Sequence, residues 1–154
     1  QERHTVLDIL DVIMASELDP RSLVLEIGEA CLTDDGAAVL ERFRALGIRI
    51  AIDDFGTGSS TLGSLHTPPV DIVKIDGALL RGDDTALTVG IVRLLGALGV
   101  ATIAEGIERP DQLAMLSEAG CEQGQGFLFS HPVDAGAFEV VRSTSRREAV
   151  LSGS

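Results

Sequence analysis

The sequence has 154 residues, 24 of them acidic and 12 basic, for a formal charge of −12. That length fits one domain, and 45% hydrophobic with 23% charged residues is the composition of a globular core, which excludes a disordered chain. The acidity excludes a protein that tracks DNA or RNA phosphates with a basic face, and five Phe without Trp or Tyr exclude an aromatic base-stacking platform.

A small anionic ligand remains compatible with this charge, because metal ions and backbone amides can meet it. The two cysteines, Cys31 and Cys121, read as reduced core thiols. The first ten residues carry no basic region followed by an apolar stretch. The longest apolar run, Ile91 to Ala104, is broken by Arg93 and two glycines and is too short to span a bilayer. A cytoplasmic location without membrane insertion is the expectation.

The first predicted element is a helix over residues 4–18, with Val6, Ile9, Leu10, Ile13 and Met14 on one face. Asp19-Pro20 ends it, because a residue before proline avoids the α region. The run Leu23-Val24-Leu25, closing on Glu26 and Ile27, is too short for a helix and suits a strand buried on both faces. Thr33-Asp34-Asp35 then opens a helix burying Leu40, Phe43 and Leu46, and Gly47 caps it. Ile48 to Ile52 is a strand ending in Asp53-Asp54, and Ile72 to Ile75 is another ending at Asp76. Asp83-Asp84 begins a helix carrying Leu87, Ile91, Leu94 and Leu98, closed by Gly99. The strand Val100 to Ala104 ends at Glu105, and Pro110 starts a helix that buries Leu113 and Leu116 and stops at Gly120. Gly126 to Phe129 is predicted as a last strand, and Asp134 caps a final helix bearing Phe138 and Val141. Residues 1–142 thus form one domain of parallel βα units, and 143–154 form a polar tail.

The polar residues fall in a pattern. Glu26, Asp53, Asp54, Lys74, Asp76 and Glu105 stand at or just past the carboxyl ends of successive strands. In barrels and open α/β sheets this edge gathers ligand and catalytic groups. One acid after a strand is an ordinary helix cap, but four strands in a row ending this way are harder to dismiss as capping. Clustered carboxylates repel unless a cation or proton sits among them; a divalent metal is the economical account, and oxygen ligation favours Mg²⁺ or Mn²⁺. The three histidines, His4, His66 and His131, have no zinc-motif spacing and read as surface or loop residues. The loop Asp53 to Ser60 is glycine-rich, and its paired aspartates fit a two-metal arrangement.

These blocks together resemble the EAL family of cyclic-di-GMP phosphodiesterases. Leu25-Glu26-Ile27-Gly28-Glu29 is similar to the family's L-E-[IL]-T-E, and Asp53 to Ser60 to D-D-F-G-T-G-Y-S-S. Val70 to Asp76 is similar to P-V-D-x-x-K-I-D, and Ala104 to Glu108 to A-E-G-V-E. Gly120-Cys121 with Gly124 to Phe127 is similar to G-C-D-x-x-Q-G-[YF]. The resemblance implies a modified triosephosphate-isomerase-type (β/α) barrel, incomplete as given, and hydrolysis of cyclic-di-GMP to linear pGpG in bacterial signalling. It implies Glu26, Asp53 and Asp54 as ligands of two Mg²⁺ or Mn²⁺ ions. Glu105, Lys74 and Asp54 take catalytic roles, and Gln125 and Asp76 serve the substrate. Glu29, Glu108, Gly56, Thr57 and Gly58 form the supporting loop. It further implies a homodimer and an upstream sensory or diguanylate-cyclase-like domain.

There are departures from the pattern. Gly28 replaces the usual Thr, and Ser59-Ser60-Thr61 replaces Tyr-Ser-Ser. The Glu-Ala-Leu and N-x-S blocks, which in the family precede the first helix of this chain, are absent from it. Barrels of this type need about 200–250 residues, so the chain is expected to be the C-terminal part of a longer domain. By itself it should turn over little substrate, because its metal shell is incomplete. Three readings follow: an active phosphodiesterase as the parent domain, a receptor that binds the nucleotide without cutting it, and a dimerisation module.

Overall fold

The computed structural model describes residues 12–13, 15–16, 18–56, 70–81 and 85–138. Five strands follow the chain: β1 (Val24–Gly28), β2 (Arg49–Phe55), β3 (Ile72–Ile75), β4 (Ala101–Ala104) and β5 (Gln123–Gly124). Three helices lie between them: α1 (Asp34–Ala45), α2 (Ala86–Ala97) and α3 (Pro110–Ala119). Every strand pairs in parallel with the next one in sequence, giving the order β1-β2-β3-β4-β5. Right-handed crossovers that always advance in one direction keep their helices on one face of a sheet, the winding of a (β/α) barrel. The fold class read from the sequence is therefore the observed one.

Local chemistry explains where the elements begin and end. Thr33 Oγ1 accepts a hydrogen bond from the Gly36 amide at 3.1 Å and starts α1, a cap of the kind that contributes about 1 kcal/mol. Leu40 and Phe43 are buried as expected, and Gly47 follows α1 with φ +91°, where a side chain would be strained. Asp19 caps a short 3₁₀ turn at Pro20–Ser22. Of the helix predicted over 4–18, Val12, Ile13 and Ala15 are helical, and most of the rest lies outside the described residues. Asp83 and Asp84, Val141, His4, His66 and the tail from 143 onward also lie outside them.

Two apolar clusters fill the helix side of the sheet. Leu40, Phe43, Ile48 and Ile50 form one, with Leu25 and Ile27 packed against it. Ile52, Val73, Ile75, Ala104, Ile91, Val92, Leu95 and Leu116 belong to the other. Because strand side chains alternate, Glu26, Asp53 and Lys74 point to the opposite face.

Several expectations are corrected. β1 is not buried on both faces: alternate residues are exposed, because it stands at one edge of the described sheet. α2 turns a different face inward, burying Thr88, Ile91, Val92 and Leu95 and leaving Leu87, Leu94 and Leu98 exposed. α3 buries Gln112, Leu116 and Ala119, and Leu113 is exposed. The last strand is two residues at 123–124, whereas 127–129 is a turn that exposes Phe127 and Phe129. Asp134 does cap a helical turn, its Oδ1 accepting from Ala137 N, but Phe138 is exposed. Cys31 is exposed and Cys121 half-buried, so the thiols are free but do not make a core pair. His131 is exposed and stacks against Phe127 at 4.4 Å between ring centroids. No helix among the described residues is long and apolar enough to cross a membrane.

Candidate functional site

Lys74 is the third residue of β3, the central strand, and is only 8% exposed. Three other strands bring carboxylates to its ammonium. Nζ lies 2.7 Å from Asp53 Oδ1 on β2, 2.9 Å from Glu26 Oε2 on β1 and 2.9 Å from Glu105 Oε1 just past β4. Burial disfavours the charged lysine, but hydrogen bonds with Asp53, Glu105 and Glu26 outweigh it and hold the pKa above the ordinary lysine range. The ammonium is therefore fixed as a cation.

A bulge in β2 puts a fourth carboxylate there. Ile52 pairs with Val73 and Phe55 with Ile75, so β2 uses three steps where β3 uses two. The extra residue is Asp54, whose φ of +54° lies in the left-handed region that Asp tolerates better than most side chains. In a regular strand, adjacent side chains face opposite sides of the sheet. Here one carboxylate oxygen from each of Asp53, Asp54 and Glu105 lies within 4.8 Å of the others. The strand predicted from Ile48 and ending in the aspartates starts one residue later and continues past them to Phe55.

Three carboxylates around one ammonium leave the acids in excess, and Asp54 lies beside two of them. An all-oxygen donor set of this charge fits a hard divalent cation such as Mg²⁺ or Mn²⁺ and offers no sulfur or imidazole to a softer one. Asp53, Asp54 and Glu105 are the group spaced to hold it, and Glu26 joins them through Lys74.

Other candidate residues support this edge. Gln125 follows β5, and its Nε2 donates to Glu105 Oε1 at 2.7 Å, the same oxygen that meets Lys74. Glu29 Oε1 accepts from the Gly56 amide at 3.1 Å and ties the segment after β1 to the end of β2. Asp76 Oδ1 accepts from Ala78 N at 2.6 Å and caps the 3₁₀ turn Gly77–Leu80, so that oxygen serves the backbone. The Glu108 side chain is exposed and its amide donates to Gln112 Oε1. Thr57 and Gly58 lie outside the described residues.

Two residues of weight were not singled out from the sequence. Asp71 lies inside the Val70–Asp76 block, and its Oδ2 accepts from Ile50 N at 2.8 Å while Oδ1 meets Arg44 at 3.1 Å. Gln112 is buried on α3. Its place three residues after the helix N-cap is a capping-box position, a signal the sequence did contain.

Comparison with known proteins places this geometry. The family model for the EAL domain matches residues 1–132. The chain is similar to a Pseudomonas aeruginosa protein named cyclic di-GMP phosphodiesterase NbdA, 39% identical over 125 residues, which cover 76% of this chain and 16% of that protein. Among solved structures it is similar to the phosphodiesterase PaMucR in complex with c-di-GMP, with TM-score 0.77 and 35% identity over 86% of this chain and 57% of that one. It is also similar to Klebsiella pneumoniae BlrP1 in its manganese and c-di-GMP complex, with TM-score 0.73 and 35% identity over 82% of this chain and 34% of that one. The chain spans about a quarter or less of the curated relatives' length, 23% of those from Mycobacterium and 16% of NbdA.

Proposed function

From the premise that the chain belongs to the EAL domain family, we propose that it carries the carboxylate and lysine portion of a cyclic-di-GMP phosphodiesterase site. The reaction is hydrolysis of one phosphodiester to linear pGpG, dependent on Mg²⁺ or Mn²⁺. The observation that carries the reading is the set of Asp53, Asp54 and Glu105 carboxylates gathered beside Lys74 at the carboxyl ends of adjacent strands. The relatives' names and the manganese and calcium complexes of BlrP1 with c-di-GMP support it.

Asp53, Asp54 and Glu105 would hold the cations, with Glu26 beside them. Divalent cations bound there supply Lewis acidity toward the phosphodiester and lower the pKa of attacking water. The chain's own residues set the rest. Lys74 stays protonated and offers positive charge to the phosphoryl oxygens as negative charge builds in the transition state. Gln125, donating to Glu105 Oε1, helps hold that carboxylate beside Lys74. Glu29, by holding the Gly56 amide, keeps the segment bearing both aspartates in place.

The proposal extends to a cytoplasmic homodimer controlled by an upstream sensory or cyclase-like domain. The test uses the protein in which this chain is embedded, incubated with c-di-GMP and Mn²⁺, with products separated by chromatography. Linear pGpG is expected, abolished by chelator and by Asp53→Asn. Binding without cleavage would favour the receptor reading over the enzyme. Neither binding nor cleavage would remove both and leave a dimerisation module.

A further inference from the structure

Two segments that flank the site are locked together by a side chain outside it. One is the 3₁₀ turn Gly77–Leu80, which follows Lys74 on β3. The other runs from Glu105 to Arg109 between β4 and α3. Gln112 is 4% exposed and uses both ends of its amide. Its Oε1 accepts from the Glu108 and Arg109 amides at 2.9 and 3.0 Å, and its Nε2 donates to Leu80 O at 2.9 Å. A second contact lies nearer the site, where the Gly77 and Gly106 backbones meet so closely that a Cβ on Gly77 would stand 3.2 Å from Gly106 Cα and 3.1 Å from Glu105 O. Such an approach leaves no room for slack. The Glu105 amide donates to Ile75 O at 2.9 Å and the Ile107 amide to Gln125 O at 3.0 Å, so a shift of this loop moves both Glu105 and Gln125.

We propose that Gln112 is a positioning residue that holds Glu105 at its 2.9 Å distance from Lys74 and within reach of the Asp53–Asp54 pair, by bridging the loop after β4 to the turn after β3. This rests on the phosphodiesterase reading only in taking that carboxylate group to be a cation site. A purely architectural role for Gln112 would affect stability alone. A positioning role also affects the site.

Thr88 provides the comparison. It is 1% exposed, and its Oγ1 donates to Leu79 O at 2.7 Å, so it anchors the same turn from α2, with no side-chain hydrogen bond to the loop after β4 among the described residues. Gln112→Leu and Thr88→Val each remove a buried hydrogen-bonding anchor of the turn, and both should lower Tm. Mn²⁺ binding is measured by titration calorimetry well below either Tm. Gln112→Leu is expected to weaken it about 10- to 100-fold, as loss of outer-shell support does, and Thr88→Val to leave it unchanged. Affinity in Gln112→Leu within about twofold of wild type would overturn the proposal. If Gln112→Leu does not fold, Gln112→Glu keeps the acceptor for both amides and loses the donor to Leu80 O; wild-type affinity in that variant would overturn it equally. If wild type binds no Mn²⁺, the phosphodiesterase reading fails instead. Amide hydrogen exchange then decides this proposal: Gln112→Leu should deprotect the Glu105 and Ile107 amides ahead of the α2 core, and unchanged protection there would overturn it.

Discussion

Asp53 faces Lys74 across the β2–β3 pair, Oδ1 to Nζ at 2.7 Å, and the bulge in β2 follows at the next residue. The lysine thus sits where the sheet first departs from regular pairing, with carboxylates from the strands on both sides. It is the sole cation among the described ion pairs of the site, so its removal leaves Glu26, Asp53 and Glu105 repelling one another. Lys74→Met should therefore destabilise the fold by about 1–3 kcal/mol in metal-free buffer. Mn²⁺ should raise the melting temperature of the variant more than that of wild type, because the cation replaces the lost charge. Thermal melts with and without Mn²⁺ check this, and an equal shift in both proteins would contradict it.

The same ion pairs fix a pH dependence. The folded-state pKa of Lys74 is raised above its unfolded value, so its stabilising contribution is complete below about 10.4 and is lost as pH rises through the folded value. The stability gap between wild type and Lys74→Met should stay level from about pH 7 to about pH 9 and close only in strongly alkaline solution. Urea denaturation across this range measures it. A gap that closes near neutrality would show that the lysine is not held as a cation.

Asp54 separates backbone strain from function. Its φ of +54° favours glycine over a β-branched residue, so Asp54→Val should be less stable than Asp54→Gly by about 1–2 kcal/mol. Both should weaken Mn²⁺ binding, since both remove a carboxylate from the cluster. Urea midpoints that diverge between the two variants while their Mn²⁺ affinities fall together would establish the split.

What was legible in the sequence follows from what local pattern encodes. The short β-branched run Ile72 to Ile75 is bounded by Pro68-Pro69 and Asp76 and appears at the predicted limits. Alternation of strand and helix gave the parallel sheet, and acids after strands gave Glu26, Asp53, Asp54 and Glu105 as neighbours. Local pattern does not encode a bulge, so it ended β2 early and left unexplained how Asp53 and Asp54 share one site. Nor does it choose a face on a helix that is apolar nearly all round. α2 carries leucines on both sides, and tertiary packing selected the stripe containing Leu95. The aromatic run at 127–129 reads as a strand because aromatic residues favour strands, yet Phe129 N donates to Gly126 O three residues back, which closes a turn, and Leu128 N ties that turn to Ile107 O.

The α2 face gives a direct comparison of neighbours. Leu95 is fully buried in the larger apolar cluster, whereas Leu94 is 39% exposed. Leu95→Ala should cost about 2–5 kcal/mol from lost transfer energy and the cavity it leaves. Leu94→Ala should cost well under that, because alanine also favours the helix. Urea denaturation of both variants tests the assignment, and equal losses would point to a face turned between the predicted and observed ones.

Asp71 and Asp53 are both acids beside the central strand, and the structure gives them opposite work. Asp71 satisfies the Ile50 amide at the start of β2 and pairs with Arg44 at the end of α1, at the end of the sheet away from Lys74. Asp71→Ala leaves the half-buried Ile50 bond without its acceptor and should cost about 1–3 kcal/mol, with Mn²⁺ affinity unchanged. Asp53→Asn keeps shape and hydrogen bonding but removes charge, so it should lower Mn²⁺ affinity sharply while stability moves less. Calorimetric titration and urea melts on both variants give four numbers with a crossed pattern. A fall in Mn²⁺ affinity for Asp71→Ala as large as that for Asp53→Asn would mean the two ends of the sheet are not independent.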